Sequence, residues 1–230
     1  MKIAVMQPYF FPYIGYFQLV ASVDKFVFYD DVNFIKNGWI NRNRILINGN
    51  PSYLTVQLKD ASPFKLIKDI IFTDNRPKLK KSIQMAYKKA PYYEDVWPII
   101  DKCLNVETNK ISELAIESII TVSQYLNLTT SFERSSDVYS DTKASTKEAR
   151  LKRICHSNSA GTYINPIGGM ELYDKEDFLK SNINLLFLSV NDLTYQQFSS
   201  CFTPNLSIID VLMFNSSTEV KRMLKECSLI

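Results

Sequence analysis

The chain has 230 residues, 27 Lys and Arg against 24 Asp and Glu, one His, and a formal charge of +3. With 46% hydrophobic and 22% charged residues it has ordinary globular composition, which excludes disordered, collagen-like and coiled-coil classes. The length is enough to bury a core without staples, and so small a charge excess argues against a broad nucleic-acid or membrane surface.

Residues 3–6 and 25–29 are short apolar runs that predict strands. Between them lie the loop Gln7-Pro8-Tyr9-Phe10-Phe11-Pro12-Tyr13 and, over 14–21, a run suited to a short helix. Parallel strands need a crossover, so strand, loop, helix, strand is the opening unit of a parallel sheet. Gln7-Pro8 interrupts the first apolar run too early for a secretory leader. Four cysteines without a CxxC pair complete the expectation of a cytoplasmic protein with reduced thiols, no metal site and no membrane insertion.

The next stretch is more polar. Strands over 45–47 and 53–58 flank Asn48-Gly49-Asn50, a hairpin signal, and a third is predicted over 66–72. Asp74 and Asn75 cap a helix with Pro77 in its first turn and Leu79, Ile83, Ala86 and Tyr87 on one face. Ala90-Pro91 ends it, and another helix follows over 92–104. Ile111, Leu114, Ala115, Ile119, Val122 and Leu126 recur at helical spacing over 109–126. A strand over 129–132 then feeds Arg134-Ser135-Ser136. Ser145-Thr146-Lys147-Glu148 matches a capping box opening a helix to about 158. Strands over 161–165 and 184–190 alternate with a helix over 174–180, and helices over 207–214 and 217–225 close the chain. This alternation predicts one α/β domain over 1–230, a three-layer Rossmann-like fold with a mostly parallel sheet. A hairpin-and-helix region is inserted at about 31–105, as a lid or subdomain.

In such sheets ligands bind beyond the carboxyl ends of the strands. Four unusual loops fall there and are expected to line one crevice. The first carries Gln7, Tyr9, Tyr13 and Tyr16, rings for a base or sugar face between two prolines, or else plugs of the core. Tyr9, Phe10, Phe11, Tyr13, Tyr16 and Phe17 gather much of the aromatic excess of the chain, 13% overall, into this one early segment. Asp30-Asp31 could serve as a general base, both for one site only if the strand has ended; an exposed acidic turn is the alternative. Trp39-Ile40-Asn41-Arg42-Asn43-Arg44 combines a ring, two amides and two guanidinium groups suited to phosphate and sugar hydroxyls, with Arg42 favoured for the ligand, or forms a cross-linked structural loop. Ser135 and Ser136 suit a phosphate-binding turn, and Asn165 precedes Gly168-Gly169, which permit close backbone approach or make a plain turn. His156, the single imidazole, is a candidate base or a helix-terminal surface residue.

The segment from Met6-Gln7-Pro8-Tyr9-Phe10-Phe11-Pro12-Tyr13-Ile14-Gly15-Tyr16 through Asp24-Lys25-Phe26-Val27, Asp30-Asp31-Val32-Asn33-Phe34 and Trp39-Ile40-Asn41-Arg42-Asn43 resembles the WbqC-like family. The likeness resumes at Ser135-Ser136, Tyr163-Ile164-Asn165-Pro166, Tyr195-Gln196 and Leu206-Ser207-Ile208-Ile209-Asp210, and so spans nearly the whole chain. It departs at Phe214-Asn215-Ser216-Ser217, where a glycine is expected. The resemblance implies association with O-antigen (lipopolysaccharide) biosynthesis and a glycine transferase activity. The substrate would be a nucleotide-linked amino sugar, and the donor an acyl thioester, an aminoacyl-tRNA or an ATP-activated amino acid. Tyr13-Ile14-Gly15-Tyr16 is also similar in spacing to the His-x-Gly-His element of nucleotidyltransferase-like folds, without its imidazoles. Three expectations stand: an acyl- or aminoacyltransferase, a non-catalytic sugar-nucleotide or glycan-binding partner, and an ATP-dependent ligase.

Overall fold

A computed structural model describes residues 1–144, 146–199 and 201–230. In chain order the elements are β1 (Lys2–Met6), α1 (Ile14–Ala21), β2 (Lys25–Phe28), β3 (Arg42–Ile47), β4 (Asn50–Thr55), β5 (Leu58–Lys59) and β6 (Ile71–Phe72). Three helices follow, α2 (Arg76–Tyr87), α3 (Tyr93–Leu104) and α4 (Ile111–Tyr125). Then come β7 (Ser131–Arg134), α5 (Ser135–Val138), α6 (Lys147–Ser157), β8 (Thr162–Pro166), α7 (Lys175–Leu179) and β9 (Asn184–Val190). The chain closes with α8 (Ile208–Phe214), α9 (Ser217–Met223) and β10 (Cys227–Leu229).

The six-stranded sheet runs β10-β9-β8-β1-β2-β7. Every neighbouring pair is parallel except β9 with β10. The chain therefore starts mid-sheet, winds outward through β2 to β7, and returns to the other side of β1 for β8 and β9. That is the doubly wound Rossmann-like order, and its direction reverses between β1 and β8.

Strand alternation builds the layers. Ala4, Phe26 and Ile164 turn to one face, where they meet α1, α3, α4, α8 and α9. Ile3, Val5, Val27, Tyr163, Leu185 and Phe187 turn to the other, against Leu151, Ile154 and Cys155 of α6 and Phe178 of α7. Successive side chains of a strand point to opposite faces, so a sheet apolar on both faces must be covered twice.

The β3–β4 hairpin turns at Asn48 and Gly49, with φ of 52° and 77°, the paired left-handed conformations of a two-residue hairpin loop. β3 begins at Arg42, earlier than expected, because Asn43 occupies an inward position beside Ile45 and its polarity disguises the alternation. The strand expected over 66–72 is mostly a turn. Leu66 makes a lone bridge to Asn33 and a 3₁₀ turn follows over Ile67–Asp69. Ile67 N donates to Val32 O and Lys68 N to Asp30 O, which bends this backbone onto the acidic turn. β10 was not expected; three half-exposed residues carry too little pattern. In the expected capping box Ser145 lies outside the described residues, and Thr146 is the cap, its side chain accepting from Ala149 N at 3.3 Å.

Candidate functional site

At the β1/β8 switch a crevice of about 490 Å³ opens beyond the strand ends. Met6, Gln7 and Tyr9 reach it from β1, Tyr29, Val32 and Asn33 from β2, and Asn165, Gly168 and Gly169 from β8. Lys147 and Leu151 of α6 and Tyr173 close the far wall. Burial holds the Tyr9, Tyr29 and Tyr173 phenols above their ordinary range, so they enter neutral at physiological pH. Among the described lining residues Lys147 is the one carrying charge.

The loop after β1 is strapped from several sides. Phe10 N donates to Trp39 O at 3.0 Å, Phe11 N to Ser118 Oγ at 3.0 Å, and Ile208 N to Pro12 O at 2.9 Å. The Asn43 amide donates to Phe10 O at 3.3 Å and Phe11 O at 2.8 Å, and Ser207 Oγ donates to Phe11 O at 2.8 Å. Tyr16 is buried beneath the loop, its hydroxyl donating to Gln7 O at 2.9 Å and its ring 5.5 Å from that of Tyr9. Tyr16 thus props the loop from below.

Asp30 and Asp31 follow the end of β2, and both turn to Ser135 at the start of α5. Ser135 Oγ donates to Asp31 Oδ1 at 2.5 Å and lies 3.2 Å from Asp30 Oδ1. Ser136 donates to Asp30 through its backbone N at 3.0 Å and its Oγ at 2.8 Å. Arg150 Nη2 bridges both oxygens of Asp31 at 2.9 and 2.8 Å, and its guanidinium lies 4.8 Å from the centre of the Tyr29 ring. Burial opposes the guanidinium charge, but the bonds to Asp31 outweigh it and hold Arg150 above its ordinary value. These two carboxylates, Ser135 and Ser136 form a polar knot behind Tyr29.

The structure divides the remaining expected residues. Tyr13, Trp39 and Asn43 border a separate compartment of about 390 Å³, which shares Tyr9 with the crevice. Arg42 donates to Asn37 O at 2.5 Å and Gly38 O at 3.2 Å, and stacks 4.5 Å from the Tyr53 ring. Asn41 donates to Val56 O at 2.9 Å. His156 lies at the other end of α6, nine residues or about 13 Å from Lys147. Its Nε2 donates to Ser181 O at 2.8 Å, near the amino ends of β8 and β9.

Gly169 and Gly168 differ sharply. A Cβ on Gly169 would lie 1.8 Å from Asn165 Nδ2, whereas one on Gly168 would meet nothing within 4 Å. The residues missed in the sequence are Tyr29, Lys147, Tyr173 and Arg150, while Arg44 was read only as part of the Trp39–Arg44 motif. Tyr29 ends the strand predicted over 25–29 and was findable as a residue at a carboxyl strand end; Arg150, one of several basic residues on a polar helix, carried no signal.

A third buried carboxylate, Asp210, accepts from Tyr87 and Tyr195 hydroxyls at 2.7 Å each and from Gln197 Nε2 at 2.9 Å. Burial raises its pKa against the pull of those donors. Among the described residues no group of three or more His, Cys, Asp or Glu is placed to hold a metal ion, and no helix is long and apolar enough to cross a membrane.

The model of the WbqC-like protein family matches residues 7–222. An uncharacterized protein of Mycobacterium tuberculosis is 28% identical over 234 residues, which cover 98% of each chain. No solved structure matches.

Proposed function

The chain belongs to the WbqC-like protein family, and from that premise we propose a transferase that places an aminoacyl (glycyl) or other acyl group on the amine of a nucleotide-linked amino sugar, a building block of surface polysaccharide (O-antigen). The observation that carries this reading is the crevice at the β1/β8 switch, of a size for a small organic ligand and walled by neutral phenols and amides. Lys147, the first residue of α6, lines this crevice, where an ammonium and a helix amino terminus favour an anionic diphosphate.

The same wall suits the amine. Among the described lining residues there is no carboxylate to stabilise an ammonium, and Lys147 disfavours a second positive charge. The bound amino sugar is thereby held as the free amine. Its nitrogen lone pair attacks the carbonyl carbon of the activated donor, a C–N bond forms, the bond from carbonyl to carrier breaks, and the amine proton passes to water. Asp31 acts as a positioning residue, holding Arg150 against the Tyr29 ring, and Asp30 ties Ser135 and Ser136 to the same turn.

One observation favours a second reading, a non-catalytic sugar-nucleotide-binding partner: Asp30 and Asp31 are engaged in the knot and His156 lies at the far end of α6. The test is a thermal-shift screen with UDP- and dTDP-linked amino sugars. It is followed by mass spectrometry of each hit incubated with acyl thioester, glycyl-tRNA, or glycine and ATP. An N-acylated product supports the transferase; binding without product from any donor moves the assignment to the binding partner. Failure of every sugar nucleotide to bind overturns both readings.

A further inference from the structure

The compartment beside the loop after β1 is built from Tyr9, Tyr13, Trp39, Asn43, Arg44 and Asn205, and has a volume of about 390 Å³. We propose that it is a second ligand site, taking a ring-bearing organic anion whose phosphate or carboxylate sits on Arg44 and whose ring lies against Trp39 and Tyr13. The proposal stands on this geometry whether or not the crevice performs acyl transfer.

Arg44 is the central observation. Its Nε is buried and has no partner among the described residues, while its Nη2 donates to Asn205 O at 3.2 Å. Buried N–H groups are almost always paired, so the orphaned Nε marks a guanidinium whose donors the described chain leaves incompletely answered, on a residue that lines the cavity. No carboxylate among the described residues lines the compartment to answer them. The guanidinium fork matches the planar oxygens of a carboxylate or two oxygens of a phosphate.

The neighbours leave that fork available. Asn43 lies beside it, but its amide is spent on Phe10 O and Phe11 O, and its Oδ1 accepts from Arg44 N at 2.8 Å. Trp39 is held through its own carbonyl by Phe10 N. The backbone at Trp39 and at Arg44 is therefore held before any ligand arrives, which lowers the ordering cost of binding. Tyr9 belongs to both cavities, so the two ligands would meet at one ring.

Trp39 and Trp97 are the two tryptophans of the chain. Trp97 stacks on Tyr93 in α3, away from this compartment. In the Trp97→Phe protein, Trp39 emission reports the site alone. Adenosine 5′-monophosphate and benzoate are titrated as the phosphate and carboxylate probes, with adenosine as the uncharged control. The expected result is saturable quenching by at least one anion, weaker by about tenfold or more for its uncharged counterpart and after Arg44→Gln, with Arg44→Lys between. Should Arg44→Gln not fold, the native protein is treated with phenylglyoxal, and the ligand should protect Arg44 in the peptide map. The proposal is overturned if neither anion saturates at millimolar concentration, if Arg44→Gln binds like the parent, or if the bound anion leaves Arg44 unprotected.

Discussion

The side-chain amide of Asn43 donates to the carbonyl of Phe11 at 2.8 Å, joining a strand of the inserted hairpin to the loop that separates the two cavities. Phe11 is buried with φ of 40°, a left-handed conformation that a bulky residue adopts only under constraint. Bonds to Asn43, Ser118 and Ser207 supply that constraint from three different parts of the chain.

Asn43→Ala should cost about 2–4 kcal/mol, because it removes the amide from the Phe10 carbonyl, leaves Phe11 O to Ser207 alone and takes the acceptor from the Arg44 N–H. Urea unfolding measures this directly. A loss below about 0.5 kcal/mol, the level of an ordinary surface change, would mean that the loop is held without this amide.

Gly169→Ala and Gly168→Ala should separate. The first drives a Cβ into Asn165 and should cost about 1–3 kcal/mol and weaken crevice ligands. The second meets open space and should stay within about 0.5 kcal/mol. Equal effects in thermal melts would contradict the close approach at Gly169.

Arg150→Met should destabilise by about 3–5 kcal/mol, since it removes the guanidinium that bridges both oxygens of the buried Asp31 carboxylate. The double change Asp31→Leu with Arg150→Met removes both charges and should recover part of that loss. A double variant less stable than Arg150→Met would show that the ion pair is not what the single change breaks.

Asp210 provides a pH signature. Its carboxyl is raised by burial, so the folded state binds that proton more tightly than the unfolded chain. Its contribution is therefore fully present below the unfolded carboxyl pKa and is lost as pH rises through the folded value. The stability of the native protein relative to Asp210→Asn should fall as pH rises above the ordinary carboxyl range of about 4, read by urea titration at each pH. A relative stability that grows with pH would refute the raised value.

Lys147→Ala should weaken UDP-amino-sugar binding about tenfold through loss of one charge-assisted contact to phosphate. His156→Ala, at the other end of α6, should change binding by less than about twofold. Calorimetric titration distinguishes them, and a larger effect at His156 would move the site.

Local pattern carried much of the fold. The helix over Ile14–Ala21 and the strand over Asn184–Val190 fall where apolar spacing places them, and the α6 helix follows its cap. The elements that escaped depend on partners distant in sequence. Asn43 reads as loop until the carbonyls it binds are known, and β10 pairs only because β9 presents an edge. The candidate site behaves likewise. Adjacent Asp30 and Asp31 can be read as a pair, but their convergence on Ser135 spans more than a hundred residues.

The amino-acid sequence by itself determined the family, the strand–helix alternation and the loops that collect at the carboxyl ends of the strands. These are properties of local order and spacing. Tertiary structure decided that the aromatic loop parts two cavities, that the paired aspartates face Ser135 and Arg150, and that Arg44 finds no partner for its Nε among the described residues. Contacts between residues far apart in the chain are set by packing, which leaves no periodic trace in the sequence.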